Sequence, residues 1–146
     1  MKNILVSACL LGEPTRYDGR SVPCDAVIAL KEKYNLIPVC PEVLGGLPTP
    51  RTPSERVGER VLMRDGRDVS DSFLSGAVAA YEQYIANGCE LAILKAKSPS
   101  CGRGRIYDGS FRGVLTDGDG VFAEYLVARG VRVITELQIE EIDELR

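Results

Sequence analysis

An α/β fold is what the sequence predicts, and three observations predict it. Four short, nearly continuous apolar segments rich in Ile, Leu and Val read as strands buried on both faces. Helical patterns lie between them, an alternation that yields a mainly parallel sheet with helices on its faces. The chain has 146 residues, 45% apolar and 27% charged, enough for one full hydrophobic core and too few for two ordinary ones. The expected architecture is therefore a small Rossmann-like three-layer α/β domain over residues 1–146, with a mainly parallel sheet and short hairpin insertions.

Along the chain, Asn3 to Ala8 (NILVSA) forms the first strand. Its apolar run is followed by Glu13 and Arg16 and lacks a small-residue cleavage site, so it reads as a strand and not as a signal peptide. Pro23-Cys24-Asp25 starts a helix over Ala26 to Tyr34, and Leu36 to Val39 is the second strand. Asp65-Gly66 is expected as the tight turn of a hairpin inserted after it. Asp68 caps a helix over Val69 to Asn87, in which Leu74, Val78, Tyr81 and Ile85 recur at helical spacing and Gly88 supplies a left-handed terminus. Leu91 to Ala96 is the third strand, followed by a second hairpin turn at Asp108-Gly109. A helix over Val121 to Arg129 stops before Gly130, Val131 to Thr135 is the fourth strand, and Ile139 to Leu145 is a last helix.

Composition excludes several functions. No segment approaches the roughly 18 to 20 unbroken apolar residues of a membrane span, so the expected location is the cytoplasm, where thiols stay reduced. A net charge of -3 argues against stable nucleic-acid binding, which calls for an excess of Lys and Arg, and favours a small-molecule partner. There is no histidine. Ser-His and Cys-His couples, imidazole bases and mixed Cys/His zinc sites are all ruled out.

The cysteines can be sorted by the rule that ligands of open α/β sheets bind beyond the carboxyl ends of the strands. Cys9 follows the first strand in SACLLG, Cys40 the second in VCPEVLGG, and Cys101 the third in KSPSCGRG. All three reach one edge. Cys89 enters its strand at the opposite edge, and Cys24 lies near the start of the first helix. Any one of these thiols has a bland explanation as a small buried hydrophobe. Three at one edge, beside Gly and Pro turns, point to a shared site. Without histidine they can hold zinc together with a carboxylate or water, or three irons of a cubane cluster with the fourth left open.

Other polar residues leave the same edge. Glu42 is a candidate general base, with the apolar VLGGL stretch to desolvate it. Ser98 and Ser100 flank Pro99, where hydroxyls either meet a substrate or satisfy turn backbone. Arg16, Asp18, Arg51 and Lys97 lie in loops there, and surface solvation is the simplest account of all four. Cys9 to Arg16 is not the phosphate-cradling Cys-x5-Arg loop of small tyrosine phosphatases, because six residues intervene. The short GRG at Gly102 to Gly104 is not a dinucleotide fingerprint.

The ordered set SACLLG, RYDG, CPEVLGGLPTPR, SPSCGRG, IYDGSFRG and GDGVFAEYL resembles the thiouracil desulfidase family of small bacterial proteins across essentially the whole chain. The resemblance implies a 4Fe-4S cluster held by Cys9, Cys40 and Cys101, with one iron open to the substrate's sulfur. It implies non-redox desulfuration of a small thiolated pyrimidine, with Glu42 as catalytic carboxylate and Ser98 orienting the ring or relaying a proton. Two rivals fit the same thiols: a non-catalytic metal or sulfur carrier, and a redox enzyme or sensor, which would normally want four protein ligands.

Overall fold

The computed structural model describes residues 1–145, with side chains described for all of these except 141 and 143–145. In chain order the elements are β1 (Asn3–Ser7), α1 (Asp25–Ile28), β2 (Asn35–Val39), α2 (Pro41–Leu44), β3 (Ser54–Val57) and β4 (Arg60–Met63). They continue with α3 (Ser70–Ala86), β5 (Cys89–Leu94), β6 (Arg105–Tyr107), β7 (Leu115–Asp117), α4 (Val121–Ala128) and β8 (Val133–Thr135). The mixed α/β architecture agrees with the sequence. Four parallel strands in the order β2-β1-β5-β8 form the sheet, and β3-β4 and β6-β7 are separate antiparallel hairpins.

Alternation along the central strands divides the core in two. Leu5, Ala92 and Leu94 face α3 and α4 together with Ala77, Ala80, Phe122 and Leu126. Ile4, Val6, Leu91 and Ile93 face the other way, onto Leu10, Val27 and Ile142. Both faces are covered, which is why β1 and β5 read as unbroken apolar runs. Among the described residues no helix is long and apolar enough to cross a membrane.

Several elements depart from expectation. The helix expected over 26–34 breaks into one α turn and a 3-10 turn, Ala29–Glu32. The last segment, Glu136–Leu145, is 3-10 and kinked at Gln138 rather than an α-helix. Asp68 does not occupy the cap position of α3, which falls to Val69, but its carboxylate accepts the Ser70 amide and hydroxyl at 2.9 and 2.6 Å. The inward face of α3 is Phe73, Gly76, Ala77, Ala80 and Tyr84, while Leu74 and Ile85 are exposed. One turn, α2, was not expected at all.

The hairpin turns also move. Pairing of Val57 with Arg60 puts the β3-β4 turn at Gly58-Glu59, where Gly58 takes a left-handed φ of 62°. Asp65-Gly66 turns β4 back only to a single bridge between Leu62 and Asp68. Asp108-Gly109 opens a loop running to Leu115, not a tight turn. That loop is pinned sideways, because Glu55 of β3 accepts the amides of Gly109 and Phe111 at 2.9 and 3.1 Å.

Candidate active site

Three strand ends build one cavity of about 510 Å³, and Cys9, Cys40, Cys101, Glu42 and Ser98 all line it. After β1 the chain winds into a 3-10 turn, Ala8–Leu11, closed by Gly12 with a φ of 95°. Ala8 and Leu10 are buried, and Cys9 between them is half-buried on the cavity wall. Cys89 starts β5 at the opposite edge, as expected. Cys24 precedes α1 and packs against the Ile4 and Val6 layer; it does not line the cavity.

After β2, Cys40 stands immediately before α2, whose first residue is Pro41 and whose first turn holds Glu42. Proline there costs no hydrogen bond, since the first amides of a helix lack internal partners. Two glycines let α2 lie directly on α3. A Cβ on Gly45 would come within 2.0 Å of Ser72 O, and one on Gly76 within 1.8 Å of Pro41 O. No other residue fits either place.

After β5 the chain leaves through Lys97, whose φ of 71° is unusual for a residue with a Cβ. Ser98 Oγ accepts the amides of Ser100 and Cys101, both at 3.1 Å. Pro99 O and Ser100 O accept the first amides of α4, from Val121 at 2.9 Å and Phe122 at 2.8 Å. The Ser-Pro-Ser-Cys turn thereby satisfies otherwise unpartnered helix amides, and α4 in return holds Cys101 in place.

Hydroxyl and charged groups then link the three ends. Ser100 Oγ lies 3.0 Å from Glu42 Oε2, 3.0 Å from Ser98 Oγ and 3.6 Å from Cys101 Sγ. Arg51 Nε donates to Glu42 Oε1 at 3.1 Å, with side chains only 3% and 15% exposed. Its Nη2 donates to Thr15 O at 2.9 Å, the carbonyl that Cys40 Sγ also approaches, at 3.8 Å. Lys95 pairs with Glu136 at 3.0 Å beside Cys9. Glu42 is therefore held by an arginine and a hydroxyl, not by the apolar loop expected to surround it.

Burial pushes the Cys9 thiol up to about 11, with the Cys40 sulfur raising it further. Cys101 is pushed up to about 12, chiefly by its complete burial, against which hydroxyls of Ser7 and Ser100 act. Cys40 is raised by burial too, partly offset by the Val43 amide of α2. Burial of all three sulfurs, with Cys40 acting on Cys9 and both acting on Cys101, disfavours the thiolates unless a cationic group neutralises them. Among the described residues no group of three or more His, Cys, Asp or Glu is placed to hold a metal ion. One zinc needs thiolates about 2.3 Å from a single point, whereas a cubane spreads its ligands over separate irons. Three cysteine donors on one cavity, in a chain without histidine, are a donor set that suits an iron-sulfur group in which each thiolate takes its own iron.

The two hairpins form the outer wall through Glu55, Arg64, Tyr107 and Phe111. Arg64 lies 5.5 Å from the Phe111 ring centroid, and Phe111 has a left-handed φ of 57°. Arg16 and Lys97 also line the cavity, while Arg16 pairs with Asp18 at 3.8 Å. Sequence reasoning missed Ser7, Lys95 and Glu136 as members of this site. It treated Arg51 as a surface charge and left Ser100 as turn chemistry; the one available signal was their presence inside the motifs CPEVLGGLPTPR and SPSCGRG.

Comparison with known proteins gives concordant matches. A family model described as 2-thiouracil desulfurase matches residues 4–138. The uncharacterized protein YbbK of Bacillus subtilis (strain 168) is 36% identical over 149 aligned positions, covering 95% of this chain and 99% of that protein. A solved structure described as the 4Fe-4S-dependent thiouracil desulfidase TudS superposes with a TM-score of 0.93 at 45% identity, over 99% of this chain and 97% of that one.

Proposed function

The chain belongs to the 2-thiouracil desulfurase family, and from that premise we propose that residues 1–146 act as one unit that hydrolyses thiouracil-type pyrimidines to uracil and sulfide. Cys9, Cys40 and Cys101 hold a 4Fe-4S cluster in this reading. The observation that carries it is the convergence of these three thiols with Glu42 and Ser98 on one cavity. The name of the TudS structure supports the choice of cofactor. When bound, such a cluster supplies a soft Lewis acid for a thiocarbonyl sulfur at the iron that no cysteine ligates.

The chain's own residues do the rest. Glu42 takes a proton from the attacking water, and its carboxylate is aimed by Arg51 on one oxygen and Ser100 on the other. Ser98 Oγ is fixed on the cavity wall by the two amides it accepts and by its 3.0 Å contact with Ser100 Oγ. The hairpins contribute Glu55, Arg64, Tyr107 and Phe111 to the wall that a bound ring would face. No net oxidation or reduction occurs, since water replaces sulfur on the ring carbon.

Anaerobic reconstitution with iron and sulfide, followed by incubation with 2-thiouracil, tests this function. The expected result is equimolar uracil and sulfide over many turnovers. Cys9→Ser, Cys40→Ser and Cys101→Ser each lose the cluster and turnover, whereas Cys24→Ser and Cys89→Ser keep both. No sulfide from a fully loaded sample, or full activity in any of the first three variants, refutes the proposal.

A further inference from the structure

Phe111 is held in a backbone conformation that a bulky side chain disfavours. Its φ of 57° lies in the left-handed region, which suits glycine or asparagine. The loop is kept there from outside. Glu55 Oε1 accepts the amides of Gly109 and Phe111 at 2.9 and 3.1 Å, and a Cβ on Gly109 would meet Val57 Cγ2 at 2.4 Å, so the loop lies directly on β3. Among the described residues Phe111 packs in neither layer of the core; it is half-buried and lines the cavity. Strain that the surroundings hold in place at a cavity wall points to a functional position. Arg64 Cζ lies 5.5 Å from the ring centroid, and a guanidinium covers only one of a ring's two faces. The chain has no tryptophan or histidine, so the other aromatic rings on this cavity are Tyr17, which is 40% exposed, and Tyr107, which sits in the regular pairing of β6.

Resting on the desulfurase reading, we infer that the face of the Phe111 ring not covered by Arg64 is the platform on which a planar pyrimidine stacks, and that Glu55 is a positioning residue acting through that ring. A heteroaromatic ring presents a π face whatever atoms its edge carries, so stacking holds the thione and the oxo product alike and leaves the edge for polar groups of the inner wall. Such a platform selects planarity. It favours the unsaturated ring over one puckered by saturation at ring positions 5 and 6, although the two share the same hydrogen-bonding edge. Because the contact is made before and during the reaction, its loss raises KM and leaves kcat in place.

Calorimetric binding of uracil and of 5,6-dihydrouracil to the cluster-loaded protein tests the platform without turnover, and 2-thiouracil kinetics test it in turnover. The parent binds uracil about 10-fold more tightly than dihydrouracil. Phe111→Gly, whose backbone suits the left-handed φ, binds the two equally, and its KM for 2-thiouracil rises about 10-fold with kcat within about twofold. Phe111→Tyr keeps the preference of the parent. Glu55→Ala raises KM in the parent background and adds nothing in Phe111→Gly, as expected of a group that acts only through the ring. A parent that releases sulfide but binds uracil and dihydrouracil equally, or a Phe111→Gly variant that keeps the preference, overturns the platform and leaves the desulfurase function standing. Equal effects of Glu55→Ala in both backgrounds overturn the role given to Glu55. A fully loaded parent that prefers uracil yet releases no sulfide removes the function and leaves the platform.

Discussion

Arg51 shows how much of the site rests on one side chain. Its guanidinium donates to Glu42 Oε1, Thr49 Oγ1, Pro48 O and Thr15 O at 3.1, 3.0, 3.2 and 2.9 Å. It aims the carboxylate and ties the loop after β1 to the loop after α2. Lysine is a point charge and cannot span four acceptors set out for a planar fork. Arg51→Lys should lose about 1–3 kcal/mol in urea unfolding of the cluster-free chain, and kcat should drop about 100-fold through misplacement of Glu42. Unchanged turnover would show that the carboxylate is held by Ser100 alone. At this scale the thiols were legible, because the strand-end rule needs only the order of strands and cysteines. Arg51 and Ser100 were not, since the partners that bury Arg51 lie 9 and 36 residues away and Glu42 lies 58 residues from Ser100.

Among the elements, α2 is set by contacts that leave no sequence periodicity. Gly45 and Gly76 bring it against α3 at distances no Cβ allows, and the turn is too short to announce itself by pattern. For the same reason the stripe Leu74, Val78, Tyr81, Ile85 was a misleading guide to α3. The true inward face uses Gly76, Ala77 and Ala80, small residues that hydrophobic spacing weighs least. Gly76→Ala should cost about 1–3 kcal/mol by overpacking and should lower turnover by shifting Glu42, with far-ultraviolet dichroism unchanged. A fully active, equally stable variant would mean that α2 slides without consequence. The other end of α3 gives a pH effect. Bonds from the Ser70 hydroxyl and amide lower the Asp68 carboxyl from 3.8 to about 2. A group lowered in the folded chain stabilises above its unfolded value, so this contribution is complete at neutral pH and disappears as pH falls from about 4 to about 2. Thermal unfolding of Asp68→Asn should accordingly differ from the parent at pH 6 and converge with it near pH 2.

On the scale of the whole molecule, the parallel sheet was readable from alternating strands and helices, but its order β2-β1-β5-β8 was not. That order matters, because it makes β2, β1 and β5 neighbours and so puts the ends bearing Cys40, Cys9 and Cys101 side by side. The hairpins that roof the cavity were placed only approximately, since two glycine turns compete within residues 58–66 and the long loop before β7 is fixed by Glu55 of the other hairpin. With the ligation proposed above, a cluster held by three adjacent strand ends would crosslink segments about 30 and 60 residues apart, and only in the folded chain. Ligand binding to the folded state alone stabilises it by mass action, about 2.7 kcal/mol when free ligand exceeds Kd a hundredfold. For a chain of this size each kcal/mol moves Tm by roughly 2–4 °C. Chelating the cluster anaerobically should therefore lower Tm by roughly 5–10 °C in the parent and in Cys89→Ser. The same treatment should leave Cys9→Ser unmoved, because a chain that never gripped the cluster has no crosslink to lose. An equal drop in all three proteins would place the stabilising iron somewhere other than between these strands.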